Sequence, residues 1–234
     1  MKNYLSLLLV LFTIVACSKK EADLTVTGTI KGLKKGTVYL QQLKDSSLVV
    51  LDSMVINGEQ PFTLQSNLKE PEVLLLMLDK NSSEESRIAF FADKGITEIN
   101  ATLKDFPFKH TIKGSPQQEK YAEFKKMVSQ FNNKNLDIIK EQLDAQVSGD
   151  TSEANAKENE INSLIKRKYL YAINFAINNK ESEVAPYIAL AEIYDANTKF
   201  LDTIYKALPK NIANSKYGVE LDEFIKQRKQ EDNQ

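Results

Sequence analysis

The chain has 234 residues, 42% of them hydrophobic and 27% charged, with 31 lysines and arginines against 32 acids and a formal net charge of −1. This is ordinary globular material, enough for one large domain or two small ones, and its charge balance excludes the basic surface with which nucleic-acid binders neutralise phosphates. One cysteine and one histidine exclude an internal disulfide, a CxxC redox pair and a His-rich metal site, so neither a cofactor nor a metal is expected.

Residues 1–16 carry Lys2, an apolar run from Tyr4 to Ile14, and the small Ala16 directly before Cys17. That is the layout of a secretory signal peptide. The run is too short for a transmembrane helix, which needs about 18 apolar residues. Ile14-Val15-Ala16-Cys17 resembles the lipobox of secreted bacterial lipoproteins, and the resemblance implies cleavage before Cys17 and acylation of its thiol by chains such as palmitate. One acyl chain holds a protein only marginally and two or more anchor it stably; lipoproteins of this kind carry several. The other reading is an ordinary secretory peptide with a chance cysteine at its border. Ser18 stands where an aspartate would resemble an inner-membrane retention signal, which directs the expected destination to the outer membrane, on its periplasmic or surface face. Residues 17–23 then read as a lipidated polar tether.

Residues 24–114 are strand-like. Leu24-Thr25-Val26-Thr27-Gly28-Thr29-Ile30 alternates apolar with polar positions, the period-2 signature of a half-buried strand. After the turn at Leu33-Lys34-Lys35-Gly36 comes Thr37-Val38-Tyr39-Leu40, and then a run from Leu48 to Ile56 that ends in Asn57-Gly58. Asn-Gly is the strongest short hairpin signal, because both central positions of a type I′ turn need positive φ, and Phe62-Thr63-Leu64 is expected to return beside it. Val73 to Leu78 is nearly all apolar, as in a central strand covered on both faces. Ile88–Phe91, Ile96–Leu103 and Phe108–Ile112 complete about eight strands, whose spacing predicts an antiparallel sandwich or barrel.

At Gly114-Ser115-Pro116 the period changes. Ser115 can cap a helix, Pro116 suits its first turn and Glu119 follows. Tyr121, Phe124, Val128 and Phe131 recur at helical spacing, and Leu136, Ile139 and Leu143 continue in a shifted register. A second long helix from about Thr151 aligns Ile161, Ile165, Tyr169, Ala172 and Ala176, with the break at Gly149-Asp150. Shorter helices are predicted over Ala185–Asp195, Lys199–Leu208 and Tyr217–Lys229, with Pro186 and Pro209 at the seams. The fold class is therefore α+β, an antiparallel β half followed by a helical half over 115–234.

Gly28-Thr29-Ile30-Lys31-Gly32-Leu33, Gly36-Thr37-Val38-Tyr39-Leu40, Leu51-Asp52-Ser53, Asn57-Gly58, Phe62, Phe90-Phe91, Lys94-Gly95-Ile96-Thr97-Glu98-Ile99 and Ile112-Lys113-Gly114-Ser115-Pro116 resemble an uncharacterised domain of unknown function. Such domains precede thioredoxin-like modules in lipid-anchored bacterial disulfide oxidoreductases. The helical half is similar too, as far as Ser215-Lys216-Tyr217-Gly218. These motifs are turn glycines and core hydrophobes, so the resemblance implies a scaffold and a compartment and brings no catalytic residue. After Asp222-Glu223-Phe224-Ile225 no thioredoxin module with its CxxC follows, and reductase activity is not carried over.

Other chemistry is thin. His110 reads as an ordinary strand histidine, and Glu84-Glu85, half of a possible glycosidase carboxylate pair, read as a solvated loop beside Asn81-Ser82-Ser83. The helical aromatics read mainly as core, leaving room for a partner surface between the halves at Tyr187 and Tyr194, seven positions apart. No enzyme activity is expected. The leading expectation is a lipid-anchored, non-catalytic binding or adaptor protein of the cell envelope, with a membrane contact through its lipid and an envelope protein as partner. Two alternatives stand beside it: an accessory or degenerate relative of the disulfide oxidoreductases acting in trans, and a carboxylate-based envelope hydrolase.

Overall fold

The computed structural model describes residues 22–44, 46–58, 60–79, 86–106 and 108–232. The signal segment, Cys17 and Glu84-Glu85 lie outside the described residues.

Eight strands precede the helices: β1 Leu24–Lys31, β2 Lys35–Lys44, β3 Ser47–Asn57, β4 Phe62–Ser66, β5 Glu72–Asp79, β6 Ser86–Ala92, β7 Gly95–Thr102 and β8 His110–Lys113. They form two four-stranded sheets, ordered β4-β1-β7-β8 and β3-β2-β5-β6. Period-2 alternation decides which side chains meet between them: Leu24, Val26 and Ile30 from β1, Val38 and Leu40 from β2, Leu74, Leu76 and Leu78 from β5, and Phe90 from β6 close one buried core.

The β half departs from the expected antiparallel sheet at one pair, since β1 runs parallel to β7 from Leu24↔Gly95 to Lys31↔Thr102. The Gly95 amide donates to the Asp23 carbonyl at 2.8 Å and locks the start of that register. Asn57-Gly58 is likewise a turn but not a hairpin between paired strands. β3 pairs with β2, whereas β4 pairs with β1 in the other sheet, so the turn carries the chain across the sandwich. Gly58 has φ +95° there, a conformation that costs other residues. The last strand starts later than predicted, because the Phe108 and Lys109 amides both donate to the Asp105 carbonyl in a turn. Phe108 is exposed as a result, and His110 opens β8 opposite Ala101.

The change of period near residue 114 is a change of structure. β8 ends at Lys113 and α1 spans Pro116–Ser148, with the Ser115 hydroxyl accepting the Gln118 amide at 3.0 Å and proline in the first turn. Gly149, at φ +77°, terminates α1, and Asp150 caps α2, Thr151–Asn178, by accepting the Glu153 amide at 2.9 Å. Then follow α3 Val184–Ala191, α4 Thr198–Ala207, the single turn α5 Lys210–Ala213, and α6 Lys216–Glu231. Their shared core contains Phe124, Val184, Ile188, Leu201, Ile204 and Leu221, and it also takes in Phe91 from β6. Neighbouring phenylalanines on one strand thus serve two cores: Phe90 faces the sandwich and Phe91 the helices.

Candidate functional site

The two halves join over the outer face of the β3-β2-β5-β6 sheet. Phe91 is met edge-on by Tyr121 of α1 (centroids 6.3 Å), Tyr187 of α3 (5.4 Å) and Tyr217 of α6 (5.8 Å), while Tyr187 and Tyr217 are 5.0 Å apart. T-shaped pairs of this kind add about 0.5–1.5 kcal/mol each beyond the area they bury. Hydrogen bonds lock the same seam. The Phe91 amide donates to Gln118 Oε1 at 2.7 Å and the Ser115 hydroxyl donates to the Phe91 carbonyl at 2.6 Å, so the start of α1 completes the edge of β6. On β5, the Val73 amide donates to the Tyr217 hydroxyl at 2.9 Å.

The junction leaves a cleft of about 440 Å³ beside this cluster, with Leu43, Val73, Leu75, Ala89, Tyr187 and Leu190 among its walls. Its size falls in the usual range of ligand clefts. A second hollow of about 430 Å³ adjoins it and shares Leu43, Lys216 and Glu220. This second lobe is charged. Lys216 Nζ lies 2.5 Å from Glu72 Oε2, both Glu72 oxygens accept from Gln42 Nε2 at 2.8 Å, and the Lys216 amide donates to Glu70 at 2.7 Å. Glu70 thereby supplies the acidic cap that the first turn of α6 otherwise lacks, where an anion is favoured. Gly218 lets α6 pack closely on the single turn α5, since a Cβ there would stand 2.0 Å from the Ile212 carbonyl oxygen.

Burial pushes the Tyr121, Tyr187 and Tyr217 hydroxyls up. They stay protonated at neutral pH, so they can donate and accept hydrogen bonds but do not provide a phenolate base. Burial also raises Glu220, against the opposing effect of Lys216. Glu72 is engaged by both Lys216 and Gln42. The arrangement is an apolar slot with a polar, neutralised rim, suited to holding a side chain by burial and hydrogen bonding. Among the described residues, no group of three His, Cys, Asp or Glu is arranged to hold a metal ion, and no helix is long and apolar enough to cross a membrane.

Tyr187 belongs to this cluster and is half-buried; Tyr194 is 57% exposed and stands apart from it. The two do not share a helix face, because α3 ends at Ala191 and Tyr194 lies in the following turn, held by Arg228 Nη1 donating to its carbonyl at 3.0 Å. The structure instead brings Tyr187 together with Leu43, Leu75, Leu190 and Tyr217. Spacing along the chain does not reveal that set. Its traces in the sequence are Phe90-Phe91 and Ser215-Lys216-Tyr217-Gly218, and both now stand at the seam.

A two-sheet β unit whose last strand passes straight into a capped helix is the kind of module this geometry defines. Residues 24–121 match a family model described as a domain of unknown function, DUF4369. The match runs beyond β8 to Tyr121, so it includes Ser115 and Gln118 as well as both sheets, while Tyr187, Lys216 and Tyr217 come from outside it. No curated protein matches the chain.

Proposed function

We propose that this chain is a lipid-anchored, non-catalytic binding protein of the cell envelope, which seats an aliphatic segment of an envelope protein partner in the cleft between its β and helical halves. The single observation that carries the binding role is that cleft: aliphatic walls from β2, β5 and α3, two tyrosine edges, and a rim carrying Lys216 and Glu220, where Lys216 is paired with Glu72 of the adjoining hollow. The anchor is supported by the run from Lys2 to Cys17. An envelope thioredoxin-like chain is the first partner to try, on the strength of the resemblance that the β half carries.

The binding role is tested with a photo-crosslinking amino acid at position 89, an exposed wall of the cleft. A discrete adduct is expected in the intact envelope, and Leu43→Arg, at a residue 58% exposed on the same wall, is expected to abolish it. No adduct, or one indifferent to Leu43→Arg, removes the cleft as the contact site. The anchor makes a separate prediction: Cys17→Ser leaves uncleaved precursor or soluble protein in place of detergent-phase protein. If a Cys17→Ser chain that has lost residues 1–16 still partitions into detergent, acylation at Cys17 is not what holds it.

A further inference from the structure

Leu136, Ile139 and Leu143, the shifted apolar series of α1, take no part in the helical core. In this distal stretch the shielded positions of α1 are Asn135, Ile138, Gln142 and Ala145, at alternating steps of three and four, the heptad spacing of a seam between two helices. That seam faces α2. Leu136, Ile139 and Leu143 stand one residue further on, about 100° around the helix, on one flank of the α1–α2 hairpin. The other flank is charged, with Lys134 at 3.8 Å from Glu160 and Lys157 at 2.5 Å from Glu141. At the base of the hairpin the body of the protein covers the apolar flank: Lys125 of α1 reaches Glu192 at 3.2 Å, and the Tyr169 hydroxyl of α2 donates to Asp195 at 2.6 Å, both acids lying just after α3. Beyond that shoulder the flank is bare among the described residues. Leu136, Leu143 and Val147 are 65%, 54% and 89% exposed.

We propose that this flank is where two copies of the chain meet, α1 against α1 antiparallel, with the hairpin tip of each beside the shoulder of the other and a two-fold axis passing next to Ile139 and Lys140. Three features select a second copy in this arrangement. The body occupies the same flank at the base, so hairpins laid tip to tip would drive the two bodies together, and only the reversed direction leaves room. The bare stretch runs from Asn132 at the shoulder to Val147 near the tip, and its midpoint is also the midpoint between Leu136 and Leu143. A two-fold interface must be complementary to itself. Copies centred on that point set Leu136 on Leu143 of the second copy, twice, and bring Lys140 to within about 3 Å along the axis of the level of the other Asp137. Finally, Asn135 Oδ1 is buried without a partner and lines a small hollow with Asn132 and Ile165. The same register carries Gln142 and Gln146 of the second copy, both amide donors, to either side of its level. Area sets the strength. About a dozen residues per copy, at about 30–40 Å² each, cover roughly 350–500 Å², against about 800 Å² in a standard stable interface. The dimer is therefore weak, with a Kd on the order of 100 µM.

Sedimentation equilibrium of the chain from Ser18, which keeps every described strand and helix and lacks Cys17, tests the pairing without the anchor. A reversible monomer–dimer equilibrium is expected between about 10 µM and 1 mM. Leu136→Glu puts a charge into each half of the interface and is expected to weaken association at least about tenfold, while Gln130→Glu, exposed on the charged flank, leaves it unchanged. Both positions lie on the surface of the monomer, and unchanged far-UV circular dichroism checks that each variant folds. Single cysteines report the direction: Lys140→Cys, beside the axis, is expected to join to its own copy through a short bis-maleimide, and Val147→Cys, near the tip, is not. A monomer at about 1 mM, equal weakening by Gln130→Glu, no joining at position 140, or joining at position 147 would each overturn the proposal. So would a chain that stays monomeric and instead binds phosphatidylglycerol vesicles through a flank that Leu136→Glu disables, which would assign the surface to lipid.

Discussion

Phe91→Ala is expected to lower the unfolding free energy by about 3–5 kcal/mol, the usual cost of emptying a buried phenylalanine site. The ring is fully buried and makes edge contacts with Tyr121, Tyr187 and Tyr217, each from a different helix. Those three phenols cannot simply collapse into the void. The Tyr217 hydroxyl holds the Val73 amide, and Tyr121 donates to Glu192 Oε1 at 3.1 Å. Set against a total stability of about 5–15 kcal/mol for a typical domain, the loss is a large fraction. Denaturant unfolding followed by far-UV circular dichroism and by tyrosine fluorescence checks it, because the helices and the aromatic seam report separately. The two transitions coincide in the parent chain if the seam couples the halves, and in Phe91→Ala the helical transition moves to lower denaturant ahead of the β transition. Phe90→Ala is the comparison. It empties the sandwich core on the opposite face of the same strand, so it is expected to lower the β transition first. If both variants lose the same stability with the same order of transitions, the two cores are one cooperative unit and Phe91 is not the coupling residue.

That contrast also shows what the sequence made legible and what it hid. Period-2 runs located the strands and the Ser115-Pro116 signal placed the start of α1, because alternation, capping and proline geometry act within a few residues. Phe90-Phe91 could be read as strand, but nothing local says that a second core waits on the outer face; that depends on α1, α3 and α6 arriving from later in the chain. Strand partners were hidden for the same reason. Asn57-Gly58 fixes a turn locally, yet whether the returning strand pairs with β3 or crosses to β1 is settled by which faces bury Phe62 and Leu64. The cleft is more distant still. Its walls come from positions as far apart as Leu43 and Tyr217, and the one pair the sequence suggested, Tyr187 and Tyr194, relied on a helix that ends at Ala191. Local signals found the elements, and long-range packing made the site.

Gly28→Ala is expected to be at least as damaging as the loss of Phe91, through space rather than backbone conformation. Gly28 lies within β1, paired antiparallel with Phe62 on one side and parallel with Ile99 on the other. A Cβ at this position would sit 1.7 Å from the Ile99 carbonyl oxygen and 2.6 Å from its carbonyl carbon. Both are backbone atoms, and Ile99 is fully buried in the sandwich core, so no flexible side chain can swing aside. Relief requires β1 and β7 to separate, which would break the parallel ladder that extends from Leu24 to Lys31. Overpacking of a well-packed core commonly costs about 1–3 kcal/mol; here the clash is with backbone in a central pair, and a loss of about 3 kcal/mol or more, or failure to fold, is expected. Gly58→Ala separates this cause from the other role of glycine. Gly58 has φ +95° but nothing within 4 Å of an added Cβ, so its cost is the left-handed backbone alone, about 1–2 kcal/mol. Urea unfolding of both variants decides the matter: Gly28→Ala must lose clearly more than Gly58→Ala, and a Gly28→Ala chain within about 1 kcal/mol of the parent would mean that β1 and β7 do not approach as closely as the parallel register places them.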